Sequence, residues 1–117
     1  MSRWLAAAVG SALLGAGLAA GACAADVAPA ATANIDIRGF AFAPTRVEVA
    51  VGDTVVWTNH DALPHTATAS SGAWDSGEMR AGTRWHWVAA EEGRVEYVCA
   101  YHPTMRGSIA VRGSRSQ

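Results

Sequence analysis

Val98-Cys99-Ala100-Tyr101-His102-Pro103-Thr104-Met105-Arg106-Gly107 sets a thiol, an imidazole and a thioether at a regular three-residue step, C-x2-H-x2-M. These are soft or borderline donors. Together they suit copper rather than magnesium or calcium, which take oxygen ligands. Zinc fits less well, because its sites use Cys, His or carboxylate and not a thioether. One more imidazole would complete a four-donor set. His65, thirty-four residues before Cys99 and directly after Pro64, is the candidate.

Two imidazoles and a thiolate around one ion, with a long axial thioether, form the ligand set of a copper centre built for one-electron transfer. Sulfur favours Cu(I) and imidazole suits either valence, so both states are accommodated. A loop this short keeps its donors at fixed separations, which limits rearrangement when the ion changes charge. Pro64 and Pro103 stiffen the two segments that carry the imidazoles. Asn59 lies on the core face of a strand six residues before His65 and is expected to hydrogen-bond across to the Cys99 loop. Each residue alone has a plainer reading. His65 could be structural, Met105 core packing, and Cys99 an inert thiol or a nucleophile. The joint pattern favours a metal, since nucleophilic Cys–His pairs are normally far apart in sequence. His60 and His86 read as surface residues.

At 117 residues the chain has room for one domain. Met1-Ser2-Arg3 followed by an apolar run to Gly21 and the small-residue site Ala22-Cys23-Ala24 reads as an export signal cut after Ala24. An uncleaved anchor is the weaker reading, because Ala and Gly outnumber Leu and Ile in the run. A lipoprotein anchored at Cys23 is weaker too, with Ala20 where a Leu is usual. The expected location is the periplasm, with no membrane insertion after cleavage. Removal of the leader leaves Cys99 as the sole cysteine. No internal disulfide can form, so a thiol in an oxidising compartment must be protected or functional. All nine basic residues are Arg, and losing Arg3 leaves eight against ten acids. That balance excludes a nucleic-acid partner.

The positioning elements follow from alternation. Residues 25–33 are Ala- and Pro-rich and read as a flexible lead-in, 34–112 as the domain, and 113–117 as a polar tail. Ile35 and Ile37 share one strand face, and Gly39 to Pro44 reads as an extended segment bent at Gly39. Val47, Val49 and Val51 share another face. Gly52-Asp53 turns the chain, and Val55, Trp57 and Asn59 line the returning strand. Asp61 to Pro64 is a turn that delivers His65. Trp74 is the only large apolar group in the loop that follows, and Glu78 to Gly82 is too short for a helix. Trp85 and Trp87, then Val95, Tyr97 and Cys99, face inward on two later strands, with Glu91-Glu92-Gly93 turning between them. Ser108 to Val111 closes the sheet. Seven or eight short strands without a helix mean an all-β fold, either a β-sandwich or a small barrel, and a Greek-key β-sandwich is the expectation.

The run V-G-D-T-V-V-W-T-N (51–59), then P-H (64–65), then Y-V-C-A-Y-H-P-T-M-R-G (97–107) resembles the cupredoxins. Its short Cys-to-His and His-to-Met spacings resemble the amicyanin branch more than plastocyanin, pseudoazurin or azurin. The resemblance covers about Ile35 to Val111. It implies one type 1 copper ion bound by His65 and His102 through Nδ1, by Cys99 through Sγ and weakly by Met105 through Sδ. It implies an electron exit at the His102 ring, in an apolar patch with Leu63, Pro64 and Pro103 where redox proteins dock transiently on a monomer. Tyr101 stands where amicyanins carry Pro, and Thr104 where an aromatic is common; both bear on the docking surface and not on the ligands. The function so implied is a soluble carrier of single electrons. The alternative is a protein that buffers or delivers copper, which calls for surplus Met or His that the chain lacks. An enzyme would need a second ligand cluster, for which only His60 and His86 remain.

Overall fold

A β-strand buries every second side chain when one face packs on a core, and the alternation in this chain does so. Ile35, Ile37, Val49, Val55, Trp57, Tyr97 and Ile109 are all buried. The computed structural model describes residues 29–114 together with Gly10 and Gly15. Apart from those two glycines, the export signal read over 1–24 lies outside the described residues, as do 25–28 of the lead-in and 115–117 of the tail.

Eight strands run in order: β1 (Thr32–Arg38), β2 (Ala41–Ala43), β3 (Arg46–Ala50), β4 (Thr54–Asn59), β5 (Thr68–Ala69), β6 (Arg84–Val88), β7 (Gly93–Val98) and β8 (Arg106–Arg112). They form two four-stranded sheets, ordered β2-β1-β4-β6 and β3-β8-β7-β5, with no helix among the described residues. The architecture is the expected β-sandwich. Two boundaries shift. Thr32 and Ala33, read as the end of the lead-in, pair with Thr54 and Val55, so β1 starts two residues before Asn34. The turn at Gly52, with φ 96°, does not pair the strands it joins, because β3 and β4 belong to different sheets. The buried Asp53 carboxylate secures this crossing by accepting the Ala50 and Ala31 N–H groups at 2.9 and 2.8 Å.

Strand direction brings the loops to one pole. β1 and β4 are parallel, with Ile37 opposite Asn59, so both end at the same side. In the other sheet Val98 at the end of β7 faces Thr68 of β5 and Arg106 of β8. Cys99 follows Val98 directly, and the segment 60–67 joins the ends of β4 and β5. The turn after β1, the His65 segment and the Cys99 loop therefore meet.

Aromatic rings fill the centre. Trp57 contacts Trp74, Trp85 and Tyr97 at centroid distances of 5.3, 5.5 and 5.4 Å. Trp85 and Trp87, expected in the core, are only half-buried and pack against its edge. Trp74 leaves its loop to join them, 5.2 Å from Trp87. Burial pushes the Tyr97 phenol up to about 12, with Trp57 opposing the shift.

Tyr97 needs Gly107 opposite it. A Cβ at that position would run into the Tyr97 ring. Gly107→Ala is expected to cost about 1–3 kcal/mol by overpacking, and thermal denaturation of the metal-free protein measures it. An unchanged midpoint would contradict the close approach.

Candidate metal centre

His65 is fully buried and its peptide is clamped on both sides. Its N–H donates to Met79 O at 3.1 Å and its carbonyl accepts the Met79 N–H at 2.8 Å. Its ring has one free orientation. Nε2 lies 2.8 Å from Asp61 Oδ2, and a carboxylate can only accept, so Nε2 carries the hydrogen and Nδ1 keeps its lone pair. That lone pair points to the thiol: Nδ1 is 3.7 Å from Cys99 Sγ.

The Cys99 loop is closed by its own backbone. The His102 N–H donates to Cys99 O at 3.2 Å, the Met105 N–H to His102 O at 2.8 Å, and the Cys99 N–H to Met105 O at 3.1 Å. These bonds explain the three-residue step: each donor residue is tied to the next. His102 Nδ1 comes to 3.9 Å from Cys99 Sγ. Cys99 and Met105 are buried and His102 is half-buried. The ligand atoms of His65, Cys99 and His102 lie within 4.8 Å of one another. An ion at about 2.0–2.3 Å from nitrogen and sulfur would hold such donors about 3.5–4 Å apart. The spacing fits. Met105 is carried to the same buried cluster as Cys99.

Two supporting residues differ from expectation, and a third was not foreseen. Asn59 does not reach the Cys99 loop. Its Nδ2 donates to Leu63 O and Met79 O, both at 2.9 Å, and its Oδ1 accepts the Asp61 N–H at 2.9 Å. At the end of β4 it is hemmed in by the turn it starts, so it braces the His65 segment from within. Thr66 takes the cross-loop role. Its Oγ1 accepts the Ala100 N–H at 2.7 Å, and its own N–H lies 3.4 Å from Cys99 Sγ. Asp61, read only as a turn residue, also accepts the Gly39 and Phe40 N–H groups at 2.7 and 2.9 Å. Burial works to raise its pKa, but the Phe40 and Gly39 N–H groups and the His65 imidazole hold it below the ordinary carboxylate range. The one hint of this in the sequence was an acid four residues before the histidine.

Phe40 was also missed. Its ring packs edge-on against both imidazoles, 5.1 Å from His65 and 4.9 Å from His102. His60 pairs with Asp36 at 2.9 Å and, like His86, is exposed and not one of the three clustered residues.

Residues 29–112 match a family model described as copper binding proteins, plastocyanin/azurin family. The chain is 32% identical over 102 residues to amicyanin-alpha of Methylorubrum extorquens, covering 82% of this chain and 86% of that relative. It is 33% identical over 93 residues to amicyanin of Paracoccus denitrificans, covering 75% of this chain and 70% of that relative. It is also similar to a solved Cu(I) form of an amicyanin variant, with a TM-score of 0.64 and 32% identity over 76% of this chain and 89% of that one. Sequence, fold and donor chemistry agree: this chain belongs to the plastocyanin/azurin family of copper-binding proteins, as a type 1 copper electron-transfer protein of the amicyanin branch.

Proposed function

We propose that His65 and His102 through Nδ1 and Cys99 through Sγ hold the copper, with Met105 as a weak axial donor. We further propose that the chain is exported to the periplasm by residues 1–24 and acts there as a soluble monomer. The observation that carries this reading is the convergence of two Nδ1 atoms on one buried sulfur, at 3.7 and 3.9 Å. Bound copper supplies one-electron chemistry by alternating between Cu(II) and Cu(I).

The chain's own residues do the rest. Asp61 fixes the tautomer and direction of the His65 ring, as carboxylates behind metal-binding imidazoles do. The Thr66 N–H, aimed at Cys99 Sγ, helps hold the sulfur in place. The backbone bonds across residues 99–105 keep the donors from drifting apart when the charge of the site changes. His102 is the one donor with an exposed edge. Phe40 packs on its ring, and Phe40, Leu63 and Tyr101, which are 45, 51 and 49% exposed, account for three of the four large exposed apolar side chains among the described residues. We assign that face to transient docking of redox proteins. Copper buffering is the weaker reading, because His65 and Cys99 are 0% and Met105 is 4% exposed. Exchange of the ion needs donors that a chelator can reach.

Copper-loaded protein is expected to be deep blue and Cys99→Ser to lose the colour; a colourless wild-type adduct would end the type 1 assignment. Asp61→Ala is expected to lower copper affinity by about 10–100-fold, read by competition with a chelator. Affinity within experimental error of wild type would show that the carboxylate does not orient the ligand. The wild-type site should hold copper through repeated rounds of oxidation and reduction in the presence of a weak chelator. Loss of the ion within a few cycles would favour the delivery role.

A further inference from the structure

Gly39 and Phe40 form the two-residue connection between Arg38 and Ala41, which pair across β1 and β2. Their φ angles are 57° and 60°. A hairpin of this kind requires positive φ at both positions, and Gly, Asn and Asp supply it. Gly39 does so freely. Phe40 does not: it is the only non-glycine residue with positive φ among the described residues, and a bulky side chain is strained there. The same residue leaves a large apolar ring 45% exposed. Two unfavourable features therefore coincide at one position. Strain of this kind persists where the surroundings over-determine it, commonly beside a functional site.

The surroundings here are the Asp61 carboxylate and the two imidazoles. Asp61 accepts the N–H groups of both turn residues while its Oδ2 also meets His65 Nε2 at 2.8 Å. The turn is thus fastened to the His65 segment. The Phe40 ring then stands at 88° to the His65 ring and 87° to the His102 ring. The two imidazoles are themselves 5.4 Å apart, so three rings meet in one cluster. Edge-to-face contact is a favourable geometry for aromatic pairs. The two histidines depend on it unequally. Asp61 anchors the His65 ring, whereas no side chain among the described residues hydrogen-bonds His102 Nε2.

We propose that Phe40 is a positioning residue for His102: its strained turn holds an aromatic edge against the solvent-side imidazole and keeps Nδ1 aimed at Cys99 Sγ. This rests on His102 being a copper ligand. The fold gives up local backbone comfort so that the half-buried donor, whose Nε2 has no side-chain hydrogen-bond partner among the described residues, keeps one orientation.

The test compares Phe40→Asn, Phe40→Leu and Phe40→Tyr. Asn accepts positive φ without strain, so the metal-free Phe40→Asn protein is expected to melt at or above the wild-type temperature. In the same metal-free sample, NMR couplings should show His102 χ1 averaging over rotamers where the wild type holds one. Loaded with Cu(I), the Asn and Leu variants should release the ion to a Cu(I)-specific chelator about threefold to tenfold faster than wild type, as the loss of one aromatic contact allows. Phe40→Tyr, which restores the edge contact, should stay within about twofold. Wild-type His102 rotamers and release rates in the Asn and Leu variants would overturn the proposal. So would a marked drop in the metal-free melting temperature of Phe40→Asn with His102 unmoved, since the ring would then serve the fold. A wild-type protein that takes up no copper would instead sink the ligand assignment, and the metal-free NMR comparison would still decide the role of Phe40.

Discussion

Two imidazole nitrogens and a thiol sulfur lie within 4.8 Å of one another, two of the three residues shut away from water. Clustering lone pairs in a dry place is unfavourable without partners, so the protein has to hold them there by other means. Each donor is held differently. His65 has both faces of its peptide bonded to Met79 and its ring bonded to Asp61. Cys99 has its carbonyl and N–H tied to His102 and Met105, and its sulfur faced by the Thr66 N–H. His102 has only ring packing and its loop. Anchoring therefore weakens from the interior toward the surface, and the least anchored of the three residues is the half-buried His102.

The sandwich supplies this through strand direction. A hairpin meander would send successive turns to alternate ends. Here β1 runs parallel to β4 and β3 parallel to β8, so connections from both sheets arrive at one end. Asp61 then joins three segments of chain: its own turn, the Gly39-Phe40 turn and His65. A single carboxylate couples the outer sheet connection to the buried imidazole of His65. The aromatic block of Trp57, Trp74 and Tyr97 fills the core below and leaves little freedom to β7, the strand that presents Cys99.

Much of this was legible in the sequence, for a physical reason in each case. Cys99, His102 and Met105 lie in one loop, so their spacing is a local fact that needs no fold. The buried alternation of Ile35, Ile37, Val55 and Trp57 marks strands directly. What escaped depends on contacts between distant segments. Alternation does not say whether strands run parallel, so the crossing at Gly52 and the common pole were hidden. Thr66 makes the cross-loop bond expected of Asn59, because the direction of a side chain at a strand end depends on the turn beyond it. Phe40 looked like strand, since nothing in Arg38-Gly39-Phe40-Ala41 announces a positive φ at a phenylalanine. Asp61 looked like an ordinary turn acid because its three partners are separated from it by four to twenty-two residues.

Because hydrogen bonds within the chain hold His65 and Cys99, the site is expected to be preorganised for the metal. Crystal structures of the metal-free and copper-loaded protein at comparable resolution test it most directly. Preorganisation requires that His65 Nδ1 and Cys99 Sγ keep their positions to within about 0.5 Å between the two. A metal-free structure in which either side chain adopts another rotamer, or in which the His65 ring leaves Asp61, would contradict it.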